Sequence, residues 1–398
     1  MTDLTLTQRQ NTQHDRLPIA ALLALALAGF ITILTEALPA GLLPQISTDM
    51  HISGALAGQF VTLYAVGSLV AAIPLMTATQ GVRRRPLLLT ALAGFVVANT
   101  VTALSVNYVI TMMVRFLAGV SAGLVWALLA GYAARMVPED KKGRAIAIAM
   151  VGTPLALSLG VPAGTFLGSL VGWRMCFGIM SVMAVGLMVW VRIRVPDFSG
   201  LAASKRLPLS QVFTLEGVRT VLFVVLTFVL AHNIFYTYIA SFLASVDMAE
   251  RTDLILLVFG VASLLGIWII GVFVDRYLRM LTLIGTALFA LSAFVLGMFN
   301  DMPVAVCMAV AVWGLSFGGA ATLFQTAIAR AAGNAADVAQ SMLVTAWNLA
   351  IAGGGIIGGI LLDALGTTAF SPAIIILLIL AMTTVWAAKQ HGFPTTLT

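Results

Sequence analysis

Residues 17–43 have the sequence LPIAALLALALAGFITILTEALPAGLL, an apolar run in which Glu36 is the one charged residue. A helix that crosses a membrane needs about 20 consecutive apolar residues, and this run supplies them. It is also longer than the apolar core of a cleavable signal peptide, which has about 7–15 residues. The run therefore predicts a first transmembrane helix, preceded by a polar tail over residues 1–16.

The whole chain has the composition of this first run. Of its 398 residues 61% are hydrophobic and only 9% are charged, with a mean hydropathy of +1.05, whereas soluble proteins carry about 25% charged residues. The apolar runs are continuous rather than alternating, so they predict helices and not a barrel. The net charge of +6 lies in short connectors between these runs. We therefore expect a lipid bilayer around the chain and no nucleic-acid partner.

Apolar runs separated by charged or turn-forming connectors predict twelve transmembrane helices in two sets of six. The fold class expected is an all-α membrane protein with two pseudo-symmetric six-helix bundles, at 17–194 and 218–388. Between them lies the polar stretch 195–217, which we interpret as a linker, and residues 389–398 form a C-terminal tail. The predicted helices cover 17–43, 54–78, 86–105, 108–135, 141–170, 173–194, 218–244, 253–275, 279–299, 302–330, 337–362 and 367–388.

The distribution of basic residues predicts the orientation. If the N-terminus lies inside the cell, all of the 21 lysines and arginines except Arg115, Arg174 and Arg251 fall in the tails, the linker or the inner connectors. Such a bias is typical of cytoplasmic connectors. We therefore expect both termini in the cytoplasm and the protein in the cell's inner (plasma) membrane.

Glycines recur at four-residue spacing in one helix of each half. The fifth predicted helix has them at 160, 164, 168 and 172, and the eleventh at 354 and 358. A stripe of small residues lets two membrane helices approach closely. Repeated halves of this kind, with a binding site at their interface, are a transporter architecture.

These features resemble the major facilitator superfamily, in its twelve-span branch of drug and sugar efflux proteins. Four segments carry the resemblance. TEALPAGLLP at 35–44 resembles the acidic signature of the first span, and RFLAG at 115–119 is similar to the buried-arginine motif. GVPAGTFLG at 160–168, with Gly160, Pro162, Gly164 and Gly168, resembles the antiporter motif, and GWR at 172–174 is similar to the sugar-efflux group.

The connector after the second predicted helix departs from the family pattern. The family has an Asp-Arg pair there that acts in gating, whereas this chain keeps the basic cluster Arg83, Arg84 and Arg85 without the acid. The equivalent connector of the second half keeps the glycine, the acid and the base. The resemblance implies that these residues form a gate, carried more by the second half. Charges that only set the topology are the alternative. The residues of the second half are Gly271, Asp275 and Arg276.

Glu36 is the acid most deeply placed in a predicted helix, about eight residues before a helix end expected at Pro44. A buried charge in a membrane costs about 2.5–3.5 kcal/mol on insertion scales, so it should face a cavity or a partner. Arg115 lies at the same predicted depth. Our hypothesis is that Glu36 takes up and releases a proton, and that Arg115 shifts the pKa of Glu36 or pairs with it. A static ion pair that fixes the helix register is the alternative.

Four polar-tipped side chains lie close together in the seventh predicted helix. We interpret His232, Asn233, Tyr236 and Tyr238 as substrate contacts. An aromatic belt at the membrane surface explains them equally well. Three further candidates for substrate contact, for which packing is the competing explanation, are Trp126, Gln325 and Asn348.

The function expected is secondary active export of a sugar, a drug or a similar small molecule by proton antiport with alternating access. The expected partners are the substrate, protons and lipid, and the chain is expected to act as a monomer. We expect neither enzymatic activity, nor a metal, nor a cofactor, because a proton gradient supplies the energy. Proton-coupled uptake is the alternative, and a sensor that transports nothing is a further one.

Overall fold

The computed structural model describes residues 17–202 and 207–394, so the predicted tail at 1–16 lies outside the described residues. Helices make up nearly all of the described chain, without a strand among these residues. The first half has six spans. They are Ile19–Asp49, Gly54–Ala78, Arg84–Leu104, Tyr108–Arg135, Glu139–Val171 and Trp173–Arg194.

The second half follows the short linker helix Leu209–Thr214. Its seventh span, Val218–Thr237, continues as Ile239–Ser245, and its tenth consists of Pro303–Gly318 and Ala320–Ala332. The eleventh and twelfth spans are Ala336–Leu365 and Phe370–Ala387. The eighth and ninth spans form the continuous stretch Thr252–Met298.

Ten stretches of the described chain are long and apolar enough to cross a membrane, and two of them hold two spans each. Leu254–Met298 changes direction at Tyr277, whose φ of −126° and ψ of 28° are not helical. Pro303–Leu365 is divided at Gly333, whose positive φ of 50° ends the helix that precedes it. With these two breaks the described residues form twelve spans in two bundles, which confirms the predicted fold class.

The first span is longer than predicted. Pro44 was expected to mark its end, but the helix continues through Pro39 and Pro44 as far as Asp49. A proline removes one backbone donor without ending a membrane helix when other groups satisfy the freed carbonyls. Pro39 frees the carbonyl of Thr35, which accepts a hydrogen bond from Arg115 Nη2 (2.8 Å). Glu36 therefore lies 13 residues before the helix end, or about 20 Å along the axis.

Close glycine contacts repeat in the two halves. Gly119 of the fourth span lies against the carbonyl of Tyr64 in the second, and Gly318 of the tenth lies against the carbonyl of Ser263 in the eighth. A side chain at either glycine would collide with backbone. The halves therefore repeat one packing arrangement, in which small residues allow the helices to approach.

The two ends of the bundle differ in charge. We call the end that holds the connectors 78–84, 135–142, 194–218, 275–279 and 332–336 the basic end, because these connectors and their flanks carry most of the arginines and lysines. The other end holds the connectors 49–54, 104–108, 171–173 and 298–303.

Candidate functional site

Arg115 lies in the core of the first half, fully buried. Its Nε donates to the carbonyl of Phe60 in the second span (2.9 Å), and Nη2 donates to the carbonyl of Thr35 in the first (2.8 Å). The ring of Tyr64 lies 5.2 Å from the guanidinium carbon. The planar fork of an arginine can bridge two helices in this way, so Arg115 ties the fourth span to the first and second.

Glu36 follows Thr35 directly and is half-buried. It is close enough to Arg115 to interact with it electrostatically, yet no direct ion pair joins them among the described residues. Arg115 Nη1 is buried without a hydrogen-bond partner. Asn99 Nδ2 donates to Thr35 Oγ1 (3.2 Å), which adds the third span to this junction. The structure thus brings an ionisable acid beside a guanidinium that retains an unused donor.

The glycine stripe of the fifth span lies along the first span on both sides of Glu36. A Cβ at Gly160 would be 2.8 Å from the Phe30 ring, and one at Gly164 would be 2.7 Å from Leu38 Cδ1. Gly168 packs in the same way on Leu42. The predicted helix-packing motif, which includes Pro162, therefore supports the helix that holds the acid.

His232 is buried in an aromatic cluster of the second half. Its ring stacks on Phe317 with centroids 3.4 Å apart and on Tyr236 at 5.1 Å, and Trp313 lies at 5.3 Å. His232 Nδ1 and Trp313 Nε1 are both buried without a hydrogen-bond partner. An aromatic cluster with unused polar atoms can stack against a planar group and hydrogen-bond to it.

Of the other three residues predicted in the seventh span, two pack against the eleventh span and one is exposed. Asn233 Nδ2 donates to the carbonyl of Val229 (2.8 Å), and Gly354 packs against Asn233. Tyr238 Oη donates to the carbonyl of Gly355 (2.7 Å). Both residues therefore hold the eleventh span against the seventh. Tyr236 is 42% exposed.

The three further candidates have different surroundings. Trp126 is half-buried and packs near Gly29 of the first span. Gln325 is buried, with Oε1 lacking a partner, while its backbone carbonyl accepts from Gln340 Nε2 (2.8 Å). Asn348 is half-buried and donates to the carbonyl of Val344 in its own helix (2.9 Å). The unused Gln325 oxygen is the one polar atom of these three that is buried and free.

Asp275 joins the two halves at the basic end. Its carboxylate accepts from the backbone N–H groups of Gly143 and of Arg144 (2.9 Å for the latter), which begin the fifth span. Arg330 of the tenth span pairs with Asp275 at 3.2 Å. A carboxylate at a helix N-terminus accepts hydrogen bonds from the unpaired backbone N–H groups and interacts favourably with the positive end of the helix dipole. Gly271 lies one turn away, where a Cβ would be 2.9 Å from that of Ala147.

A second junction between the halves involves an acid that the sequence analysis did not select. Asp337 Oδ2, in the first turn of the eleventh span, lies 2.8 Å from Arg84 Nη2 and 2.7 Å from Arg135 Nη2. Arg84 is fully buried and Asp337 is 2% exposed. We call the Asp275 and Asp337 junctions together the basic-end latch. They close the basic end in this conformation.

Asp337 was not among the predicted gate residues, because the family pattern places the acid in the connector and not on the eleventh span. The available signal was an acid in the first turn of the eleventh span, at the same end of the bundle as arginines that had no acidic neighbour in the sequence. The second half was expected to carry most of the gate. In the structure, Arg84 and Arg135 of the first half form ion pairs with an acid contributed by the other half.

The remaining arginines of the predicted gate point elsewhere. Arg83 Nε donates to Asp197 of the linker (2.7 Å), and the backbone N–H of Arg85 donates to the same carboxylate (3.1 Å). Burial alone would raise the pKa of Asp197, but these hydrogen bonds and the Arg83 charge outweigh it and hold the pKa below its usual value. Arg276 lies over the ring of Tyr277. Arg83 and Arg85 thus hold the linker against their own half.

Trp173 and Arg174 lie at the opposite end, within the first half. Trp173 Nε1 and Arg174 Nε both donate to Asp49 Oδ2, at 3.1 and 2.9 Å. Arg174 also donates to the carbonyl of Ser105. We call these contacts the outer clasp. It joins the first, third and sixth spans, so the segment that resembles the sugar-efflux group contacts its own half at the surface.

Comparisons with known proteins agree with this architecture. The family model of the Major Facilitator Superfamily matches residues 25–336. Similar relatives include the transcription regulatory protein OpdE of Pseudomonas aeruginosa, 29% identical over 94% of both chains, and the chloramphenicol efflux pump Rv0191 of Mycobacterium tuberculosis, 30% identical over 85% of both. A probable sugar efflux transporter of Helicobacter pylori is 25% identical over 89% of this chain and 91% of its own.

Among solved structures, that of the proton:xylose symporter XylE has a TM-score of 0.74 and 15% identity, covering 96% of this chain and 98% of its own. This likeness concerns the fold alone. The family match covers most of the two six-helix halves described above and confirms the resemblance noted in the sequence. The chain therefore belongs to the Major Facilitator Superfamily, a family of multi-pass membrane transporters.

Proposed function

We propose that this transporter exports a small molecule (a sugar, a drug or a similar solute) in exchange for protons. The observation that carries the proposal is the proximity of Glu36 to a buried arginine that keeps one unused donor. An ionisable acid deep in a membrane is energetically costly, so such acids are rare and mark functional sites. Proton relays are one kind of such site. Relatives described as a sugar efflux transporter and a chloramphenicol efflux pump support the direction.

Protonation of Glu36 changes the charge beside Arg115. A deprotonated carboxylate attracts the guanidinium and its free Nη1, and a proton removes that attraction. Because Arg115 is bonded to carbonyls of the first and second spans, a change in this attraction acts on the contacts among three spans. We propose that the change biases the two conformations of alternating access.

The basic-end latch is the element proposed to respond. In the described conformation both of its junctions are formed, so the basic end is closed. Access from this end requires the carboxylates of Asp275 and Asp337 to leave their partners. With the basic end in the cytoplasm of a bacterial inner membrane, this conformation faces outward. The close contact between halves at Gly271 belongs to the same gate.

Substrate contact is assigned to the aromatic cluster around His232 and to Trp126 of the opposite half. The cluster offers stacking surfaces together with two unused polar atoms, His232 Nδ1 and Trp313 Nε1. Gln325 Oε1 is a third. These groups suit an uncharged molecule with a planar part and a few hydroxyl or amide groups.

Transport in liposomes with an imposed pH gradient tests the proposal. An acidic lumen should drive arabinose or chloramphenicol into the vesicle, because protons leave as the solute enters. A symporter would require the opposite gradient. Glu36→Gln should abolish the response to the gradient and retain solute exchange, while Glu250→Gln, at an exposed connector acid, should behave as wild type. Full gradient-driven transport by Glu36→Gln would reject the proton-coupling role.

Two other functions are alternatives. One is proton-coupled uptake, which the sign of the pH response separates from export. The relative described as a transcription regulatory protein gives a sensor that transports nothing. A purified chain that binds a solute but never moves it across a liposome membrane, under either gradient, would favour the sensor.

A further inference from the structure

A groove of about 780 Å³ lies at the basic end between the second, seventh and eleventh spans and the linker helix Leu209–Thr214. Its volume lies within the range of about 300–1,000 Å³ that is typical of ligand pockets. The groove is separate from the aromatic cluster around His232 and from both junctions of the basic-end latch, with which it shares no lining residue.

The walls of the groove are almost entirely apolar and come from both halves. Ile73 of the second span faces Leu222 and Leu226 of the seventh, and Leu349 contributes from the eleventh. Phe213 of the linker helix closes one side. Phe213 is 47% exposed and Leu349 56%. Such side chains at a membrane-spanning surface suit hydrocarbon chains.

Arg219 is the one charged residue of the lining. It lies in the first turn of the seventh span, at the basic end, and its side chain is exposed. It has no hydrogen bond and no ion pair within the described part of the chain. An arginine at this depth is placed at the level of lipid headgroups, where long basic side chains reach the interface.

We propose that this groove binds an anionic phospholipid, with the phosphate on Arg219 and an acyl chain along the apolar walls. The walls and the arginine require a ligand that is both long and apolar and negatively charged at one end. A soluble phosphate would leave the walls uncovered, and an uncharged lipid would leave Arg219 unpaired. Basic side chains next to a membrane attract anionic headgroups, and arginine binds phosphate with two parallel hydrogen bonds.

Occupancy of the groove is expected to depend on the conformation. The lining joins the second span to the eleventh, whose residue Met342 lies about one turn beyond Asp337. When the basic-end latch opens, these walls separate and the groove is lost. A lipid that binds one conformation better shifts the equilibrium toward it, so an anionic lipid should favour the conformation with the basic end closed.

Titration of the purified full-length chain in phosphatidylcholine nanodiscs with fluorescent phosphatidylglycerol tests the site. Arg219→Gln should weaken binding about tenfold, because it removes the charge-assisted hydrogen bonds to the phosphate. Arg192→Gln removes an exposed arginine at the same end, outside the groove, and should bind as wild type. Arg219→Lys should weaken binding less than Arg219→Gln, because it keeps the charge and loses the second parallel hydrogen bond.

A second variant tests the apolar wall. Leu349→Trp adds bulk at an exposed position of the lining and should weaken binding of the lipid without removing the charge. Free glycerol phosphate should not compete. The proposal is overturned if Arg192→Gln loses as much affinity as Arg219→Gln, because the effect is then general surface attraction. It is equally overturned if Arg219→Gln binds as wild type, or if glycerol phosphate competes. Because these readouts are lipid binding, the outcome does not depend on which solute is transported.

Discussion

Arg84 and Asp337 belong to different halves of the chain, and their side chains meet at 2.8 Å in the buried interior of the basic end. In the second half the acid of the connector, Asp275, binds the start of the fifth span. In the first half the polarity is reversed, because the connector supplies the arginine and the start of the eleventh span supplies the acid. The acid absent from the first connector is therefore present on the helix that the connector faces.

The sequences of the two connectors show how the exchange of charges is arranged. QGVRR at 80–84 corresponds to DRYLR at 275–279, so Gln80 takes the position of Asp275. The last arginine of each segment is buried and donates to backbone carbonyls, at Gln80 for Arg84 and at Val385 for Arg279. Each connector thus ends in a buried arginine that is bonded to the backbone, and the two differ in which partner carries the acid.

Asp337→Asn is expected to open the basic end. The substitution leaves Arg84 buried without a counter-ion, and removal of one partner of a buried ion pair typically costs about 3–5 kcal/mol. In this transporter the substitution destabilises the conformation in which the basic end is closed. A cysteine at Ala147, placed in a Cys176→Ser, Cys307→Ser background, should react with a thiol reagent from the basic end at least about tenfold faster in the variant.

The matched control restores an acid on the other side of the junction. Gln80→Asp, combined with Asp337→Asn, gives the first connector the arrangement of the second. The double variant should label more slowly at Ala147→Cys than Asp337→Asn alone and recover part of its transport. Equal labelling of wild type and Asp337→Asn would show that the ion pair does not hold the basic end closed.

Glycine substitutions should divide according to what each glycine touches. A Cβ at Gly152 would collide with the backbone carbonyl of Ala26, which cannot move away, whereas at Gly164 it would meet the end of the flexible Leu38 side chain. Gly152→Ala should therefore destabilise the protein by about 1–3 kcal/mol, as overpacking does. Gly164→Ala should cost less, although it belongs to the antiporter-like segment. Thermal unfolding in detergent measures both.

Gly186→Ala is the control for these variants. Gly186 lies in the sixth span, where an added Cβ would meet no neighbouring atom within 4 Å. The substitution should stabilise the helix by about 0.5–1 kcal/mol, because alanine loses less backbone freedom on folding. If Gly164→Ala lowers the stability more than Gly152→Ala does, the glycine stripe has a role that its contact distances do not explain.

The outer clasp should contribute to stability and leave the substrate preference unchanged. Asp49→Asn weakens the contacts of the exposed Asp49 with Arg174, which is partly exposed, and with Trp173, which is buried. Partly exposed ion pairs contribute about 0.2–1 kcal/mol, so a small decrease in the unfolding temperature is expected. The ratio of transport rates for arabinose and chloramphenicol should stay constant. A changed ratio would restore a role for this segment in sugar selection.

The fold was predictable because hydrocarbon imposes a simple rule on sequence. Each apolar run between charged or turn-forming connectors became a span, and eleven of the twelve lie within a few residues of their predicted bounds, the first being the exception. That helix passed the prolines at 39 and 44, since a helix in a membrane has no water to replace its hydrogen bonds when it unwinds. Its true end depends on contacts of Asp49 with the sixth span, which are distant in sequence.

The candidate site was predictable where depth along the helices defines it. The proximity of Arg115 to Glu36 followed from depth along two helices, and the structure places the arginine on the carbonyl of Thr35. The partner of Arg84 did not follow, because Asp337 is far away in the sequence and belongs to another half. Likewise, the rotation of the seventh span decided that Asn233 faces the eleventh span and His232 faces an aromatic cluster. Spacing alone does not give that rotation.

The final prediction concerns whether Glu36 and Arg115 act together. Arg115→Lys keeps the positive charge but not the planar fork, so it should lose one of the two bonds to carbonyls of the first and second spans. A hydrogen bond that involves a charged group contributes about 1.5–3 kcal/mol. The variant should therefore be less stable by an amount in this range, with solute exchange reduced but present.

A double-mutant cycle with Glu36→Gln separates coupling from two independent losses. If the acid and the arginine interact directly during transport, the effect of Arg115→Lys on the exchange rate should be smaller once Glu36 is already replaced, with a coupling energy of at least about 0.5 kcal/mol. The control pair is Glu36→Gln with Arg174→Lys. Arg174 lies at the outer clasp and bonds to Asp49, which is 13 residues beyond Glu36 in the first span. The effects of Glu36→Gln and Arg174→Lys should therefore add. Additive effects in the Arg115 cycle as well would mean that Arg115 serves only as a brace between helices.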